Sequence, residues 1–185
     1  MAPRVRLREA TPGDAALLEL WQGPDYRGEF NEFGLPAQPM SGVLRERGLI
    51  DAERGTMIVE TRDGGRPIGS VSWHGVRYGP NPESRAWNIG INLVPDARGR
   101  GFGGEAQRLL ADWLFANTAA NRVEAMTDVE NKREQRALEK AGFLREGVAR
   151  GSQYRAGAWR DLVVYSVVRD APSLPRPAPP RIGRA

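Results

Sequence analysis

Trp87-Asn88-Ile89-Gly90-Ile91-Asn92-Leu93-Val94-Pro95-Asp96-Ala97-Arg98-Gly99-Arg100-Gly101-Phe102-Gly103-Gly104 reads as a strand, a break at Pro95, a glycine-rich loop and the start of a helix. Trp87, Ile89, Ile91 and Leu93 alternate with Asn88, Gly90 and Asn92, so one face of the strand is apolar and the other small and polar. Beyond the loop, Ala106, Leu109, Leu110, Trp113 and Leu114 fall at i, i+3, i+4, i+7 and i+8, which predicts a helix with one buried stripe. A glycine loop running into a helix N-terminus can wrap a phosphate in backbone N–H groups.

Working outward, Arg122 to Val129 reads as a strand. Asn131 to Ala141 reads as a second helix, with Gly142 placed to cap its C-terminus. Phe143 to Val148 and Asp161 to Val168 read as two late strands around a polar loop that holds Tyr154. Toward the N-terminus, Val5 to Arg8 alternates as a first strand, and a helix follows Thr11-Pro12-Gly13-Asp14 and ends at Gly23-Pro24. Residues 22–42 form an aromatic loop with Tyr26, Phe30, Phe33, Glu29 and Glu32. A weak helix is expected over about Gly42 to Arg54. Thr56 to Thr61 and Pro67 to Trp73 read as strands joined at Asp63-Gly64-Gly65, and His74 to Ser84 as a loop. Trp73, Trp87, Trp113 and Trp159 are expected in the core. The order is a mixed α+β fold with early hairpins and one βαβ-like unit.

The 185 residues suit one domain, expected over 1–170, followed by a Pro/Arg-rich tail over 171–185 expected to be disordered. That tail holds Arg176, Arg181 and Arg184 without an acid, so it carries +3 of the formal net charge of +4. The rest is nearly neutral, which argues against a nucleic-acid surface. No cysteine is present, which removes disulfides, thiolate ligands and a cysteine nucleophile. With no membrane-length apolar run or signal-peptide pattern, a cytoplasmic location without membrane partners is expected.

Gly99-Arg100-Gly101-Phe102-Gly103-Gly104 formally satisfies the dinucleotide fingerprint G-x-G-x-x-G. However, too little chain follows for two mononucleotide halves, and no Gly-Lys-Ser/Thr is present to make a P-loop. Arg98-x-x-Gly101-x-Gly103 instead resembles the acetyl-CoA pyrophosphate loop of the GCN5-related N-acetyltransferase (GNAT) superfamily. Asn131-Lys132-Arg133-Glu134-Gln135-Arg136-Ala137-Leu138-Glu139-Lys140-Ala141-Gly142-Phe143 resembles a second motif of that family. The Glu139-Lys140-Ala141-Gly142-Phe143 ending, Glu146-Gly147 and Trp159-Arg160-Asp161 are similar to the branch that holds ribosomal-protein and other protein N-terminal acetyltransferases.

The resemblance implies a mostly antiparallel sheet with a splayed strand pair and flanking helices. It implies transfer of an acetyl group from acetyl-CoA to a primary amine by direct attack. Arg98, Gly99, Arg100, Gly101, Phe102, Gly103 and Gly104 would cradle the pyrophosphate. Backbone groups of Ile91, Asn92, Leu93 and Val94 would pair with the pantetheine, and Asn131 would reach it from the second helix. No metal is implied. The acceptor is a protein N-terminus or a small molecule such as an antibiotic or amino sugar, and a homodimer is compatible with this reading.

Two family features are missing. The strand Arg85 to Val94 holds no carboxylate to act as base, and Leu138 stands where many members place a tyrosine acid. The branch's serine, three residues after the asparagine, is Glu134 here. The stand-ins for proton transfer are Glu134, His74, Tyr154 and either Glu29 or Glu32, beside positioning alone. The alternative from another class is an acyl-CoA-binding module that has lost turnover.

Overall fold

The computed structural model describes residues 3–46 and 48–169; the expected tail over 171–185 lies outside them. The strands are β1 (Val5–Glu9), β2 (Arg54–Thr61), β3 (Pro67–Arg77), β4 (Arg85–Leu93), β5 (Arg122–Asp128), β6 (Leu144–Arg155) and β7 (Ala158–Val168). They form one sheet in the order β1-β2-β3-β4-β5-β7-β6. Every neighbouring pair is antiparallel except β4 and β5. The helices are α1 (Ala15–Leu20), α2 (Pro24–Arg27), α3 (Met40–Glu46), α4 (Phe102–Asn117) and α5 (Lys132–Lys140).

The parallel pair decides what the sheet can do. β4 and β5 pair only over Trp87–Val123, Asn88–Glu124 and Ile89–Ala125. Beyond Ile89 the two strands part, and the rest of β4 continues in register with β3 alone. This is the splay implied by the family resemblance.

On one face, α4 lies against the apolar side of β4. Its buried Ala106, Leu110 and Leu114 join Val71, Trp73, Trp87 and Ile89 in the core. Trp73 meets Trp113 with ring centroids 5.2 Å apart, a separation suited to a tilted aromatic pair. α4 and α5 cross at Gly104, where a Cβ would lie 2.8 Å from the Ala137 carbonyl oxygen. Only glycine permits that approach. The core continues under the N-terminal segments through Leu18, Trp21 and Leu44.

Several boundaries depart from the sequence reading. The helix expected over Gly42–Arg54 is α3, which spans Met40–Glu46, and Arg54 already belongs to β2. β3 runs on to Arg77, so His74 sits in a strand opposite Asn88 rather than in a loop. The polar loop between the late strands is instead the upper half of a long β6–β7 hairpin. That hairpin closes at Ala156-Gly157, both at positive φ. Trp159 is not core: it is 68% exposed and packs edge-on against Tyr154 at 5.4 Å. An alternating polar pattern such as Arg145 to Tyr154 reads as a loop because an edge strand with solvent on it has little apolar periodicity to show.

Candidate functional site

Backbone alternation in β4 sorts the residues expected to meet the cofactor. The Val94 N–H donates to the Ile68 carbonyl at 2.9 Å. In an antiparallel ladder, alternate residues turn their N–H and C=O to opposite sides. Asn92 therefore spends its backbone groups on β3 and Val94 its N–H, the Val94 carbonyl accepting from the Ala97 N–H at 3.0 Å, while Ile91 and Leu93 face the side from which β5 has departed. The Leu93 carbonyl is taken by Arg98 Nε at 2.8 Å. The open edge thus consists of Ile91 and the Leu93 N–H. Of the four residues expected to pair with pantetheine, two have their backbone groups free to do so.

The loop that follows ends at Gly101, whose φ of +84 caps the N-terminus of α4. Gly99, at φ +73, has open space where a Cβ would stand. The first-turn N–H groups of a helix lack intrahelical acceptors, and at α4 they add to the positive end of the helix dipole. Phe102 is buried under two guanidiniums, with Arg4 4.9 Å and Arg100 5.1 Å from its ring centre. A concave run of glycine backbone, a helix N-terminus and the Arg100 guanidinium fit a pyrophosphate, while Arg4 is paired with Glu105 at 3.3 Å.

Arg98 differs from its expected place in that cradle. Its backbone N–H donates to the Pro95 carbonyl, and its guanidinium binds the carbonyls of Leu93 and Tyr26. It braces the residue 26–28 turn against the end of β4. Asn131 acts as the N-cap of α5, accepting from the Glu134 N–H at 3.3 Å through its side chain.

Behind the cradle, Glu134 is half-buried rather than displayed at the surface. Burial pushes its carboxyl up to about 7, against the opposing effect of a hydrogen bond from the Gln107 amide. Gln107 is itself 1% exposed and donates to the Gly103 carbonyl at 3.2 Å. The pair joins the first turn of α5 to the first turn of α4. Gln107 carries no recognisable signal in the sequence beyond a polar residue on the buried side of an amphipathic helix.

On the other face of the sheet, a cleft of about 380 Å³ opens between β4 and the N-terminal segments, with Gly90, Ile91 and Asn92 in its floor. Its size is at the lower end for small-molecule sites. Leu18, Trp21, Phe33, Met40 and Leu49 supply apolar wall, and Arg27 lines it as well. The remaining proton-transfer candidates lie elsewhere. His74 is exposed in a neighbouring cleft of about 340 Å³ with Asp51 and Arg54. Glu29 is exposed, Glu32 is tied to the Gly34 N–H, and Tyr154 is 60% exposed on the hairpin. None of these four lines the cleft beside β4.

Two buried polar clusters went unseen in the sequence. Asp128, at the end of β5, pairs with Arg155 of the hairpin, and both are nearly fully buried. Arg155 also donates to the Phe30 carbonyl at 3.1 Å. Against the effect of burial, the Glu130 N–H and Arg155 hold the Asp128 carboxyl below its usual range. At the closed end of the splay, buried Glu124 accepts from Tyr78 Oη at 2.5 Å, Arg122 Nε at 2.9 Å and Asn88 Nδ2 at 3.3 Å. Apart from Arg122 and Glu124 on one strand, these pairings join residues far apart in sequence, so no local pattern announces them.

Comparison with known proteins agrees with this geometry. Residues 4–144 match the family model described as an acetyltransferase (GNAT) domain. The uncharacterized N-acetyltransferase YoaA of Bacillus subtilis (strain 168) is 30% identical over 133 residues, covering 71% of this chain and 73% of that protein. Ribosomal-protein-S5-alanine acetyltransferase from Vibrio fischeri superposes with a TM-score of 0.73 at 19% identity, over 92% of this chain and 96% of the other. Spermidine N-acetyltransferase from Vibrio cholerae, in complex with CoA and spermine, gives 0.74 at 18% identity, over 89% and 95%. At such identities the two structures speak for the fold. With the family model covering most of the chain, the protein belongs to the GNAT family of acetyltransferases.

Proposed function

We propose that the chain transfers the acetyl group of acetyl-CoA directly to a primary amine, with both substrates bound on β4. The observation that carries this is the ending of the β4–β5 pairing at Ile89 and Ala125, just before the glycine loop. It leaves Ile91 and the Leu93 N–H facing a gap that opens toward the cradle on one side and toward the 380 Å³ cleft on the other.

Acetyl-CoA would supply the activated acyl group. The first turn of α4, with Gly99 to Gly104, would hold its pyrophosphate, and Ile91 would hydrogen-bond its pantetheine. A gap-facing N–H, of Ile91 or Leu93, is the donor for the oxyanion that forms when the amine attacks. One fixed N–H of this kind is worth about 3 kcal/mol. Glu134 is the proton donor to the leaving thiolate. A carboxylic acid held near neutrality keeps a proton to give, whereas an ordinary surface glutamate does not. The cleft on the opposite face would receive the amine. It holds no carboxylate among its described lining residues, so the amine would lose its proton to water.

The test is thiol release from acetyl-CoA across a panel of amines, run beside thermal melting. Turnover with at least one amine and a melting shift with acetyl-CoA are expected. Ligand at 100 times its Kd should stabilise by about 2.7 kcal/mol. A melting shift with no turnover for any amine would convert the reading to that of a binding module.

A further inference from the structure

We propose that the acceptor is an amine that also carries a carboxylate, and that Arg27 is the residue that selects it. This rests on the transferase reading above and adds the chemical class of the acceptor. The cleft beside β4 is polar where it meets the sheet, through Thr56, Ser70, Ser72 and Asn92, and apolar where it meets α1 and α3, through Leu18, Trp21, Met40 and Leu49. Among its described lining residues Arg27 is the one that carries a charge. A polyamine would bring two or more cations to a wall that offers a guanidinium and no anion. A zwitterionic amine would instead place its ammonium at the polar floor and its carboxylate on Arg27.

The state of Arg27 supports that assignment. α2 and the turn after it hold the side chain in place: Nη1 donates to the Leu35 carbonyl at 3.1 Å, and the side chain is only 17% exposed. Its one acidic neighbour, Glu32, makes a long ion pair with Nη1 at 3.7 Å, beyond hydrogen-bond distance, and the same Glu32 oxygen already accepts from the Gly34 N–H at 2.8 Å, so the pair is weak and open to exchange for a closer carboxylate. A guanidinium has five N–H donors in a fixed fork, so one bond to Leu35 leaves capacity for a bidentate carboxylate. The acid in the adjoining cleft is spent locally. Asp51 accepts from the Glu53 and Arg54 N–H groups at 2.8 and 3.0 Å and meets the Arg54 side chain at 3.5 Å. The Arg54 side chain beside it offsets its charge toward a polycation. The apolar wall then favours a hydrocarbon side chain on the same amine.

Four acceptors separate the possibilities on the wild-type chain: L-leucine, L-leucinamide, 3-methylbutylamine and spermidine. Rates are compared per neutral amine, because the four differ in basicity. Leucine should exceed both leucinamide and 3-methylbutylamine at least tenfold in kcat/KM, with spermidine lowest. Arg27→Gln should erase the preference for leucine, mainly through KM, and Arg27→Lys should restore part of it. Both variants should keep the wild-type Kd for acetyl-CoA. Leucinamide matching leucine would overturn the carboxylate assignment and point to the amino-terminal residue of a peptide. Spermidine or 3-methylbutylamine matching or surpassing leucine would overturn it while leaving the transferase reading intact. Acetyl-CoA binding with no turnover of any of these or of a wider amine panel would remove the transferase reading, and this inference with it.

Discussion

The two sides of β4 are built from different materials. On the α4 side, the site consists of backbone: glycines at positive φ, the first turn of a helix, and the unpaired edge at Ile91 and Leu93. On the opposite side, it consists of side chains from the sheet and from short segments between residues 18 and 49, held to the sheet by arginines that grip carbonyls. Arg98 holds Tyr26 and Arg155 holds Phe30. A backbone cradle tolerates few sequences and fits one ligand. A side-chain cleft tolerates many and can be retuned residue by residue. In the proposed function, that contrast would set a common cofactor on one face and the choice of acceptor on the other.

The largest expected effect comes from the buried pair that locks the acceptor side to the sheet. Asp128→Ala leaves Arg155 buried without its partner, at a cost of about 3–5 kcal/mol. Chemical denaturation should show that loss. The surviving folded fraction should raise the acceptor KM while keeping its Kd for acetyl-CoA. An equal loss on both substrates would mean that the two faces are not separable.

Gly101→Val tests the other face. A β-branched residue at φ +84 costs about 1–3 kcal/mol in strain, and a Cβ there would already stand 3.0 Å from the Arg4 guanidinium. Acetyl-CoA affinity should fall at least a hundredfold by calorimetry. Unchanged affinity in a folded variant would mean that the loop does not hold the pyrophosphate.

The glycine turn into α4 was legible in the sequence because it is a backbone device, and backbone devices are written in glycines at fixed spacing. Gly142 announced the C-terminal end of α5 in the same way, at positive φ, whereas the N-cap role of Asn131 emerged only from the structure. The antiparallel sheet and its splay came from resemblance, not from periodicity. The cleft on the opposite face was not legible. Its residues lie between 18 and 92 in sequence and meet only in the fold, and α3 is too short to show a helical stripe. Arg98 shows the limit of a motif: the position matches, yet the side chain turns back to brace the 26–28 turn. His74 was drawn into the site by chemistry alone, as the one histidine in the chain, and topology places it in a neighbouring cleft.

Glu134 lies behind the glycine loop, and its titration separates a proton donor from a buried structural acid. Its folded value near 7 lies above the unfolded value near 4.5, so the folded state binds the extra proton. Stability should therefore be greatest below about pH 4.5 from this group, and should decline as pH rises toward 7, by up to about 3 kcal/mol. Glu134→Gln should remove that decline and be the more stable protein at pH 8. If Glu134 also protonates the thiolate, kcat should drop about a hundredfold with little change in acetyl-CoA Kd. A flat stability difference would refute the raised value, and an unchanged kcat would leave the thiolate to water.

The smallest effect is expected at the tip of the hairpin, where Tyr154 and Trp159 share one exposed aromatic contact. Neither side chain lines the cleft, and an exposed aromatic pair contributes about 0.5–1 kcal/mol. Trp159→Ser should lower stability by no more than that, because the ring leaves solvent rather than core. Tyr154→Phe keeps the contact and removes only the hydroxyl, so stability, KM and kcat should all stay within about twofold of wild type by melting and steady-state assay. A tenfold fall in kcat for Tyr154→Phe, with acetyl-CoA affinity preserved, would reverse the assignment. It would mean that the hairpin folds over the cleft during turnover and that the acceptor side supplies a proton of its own.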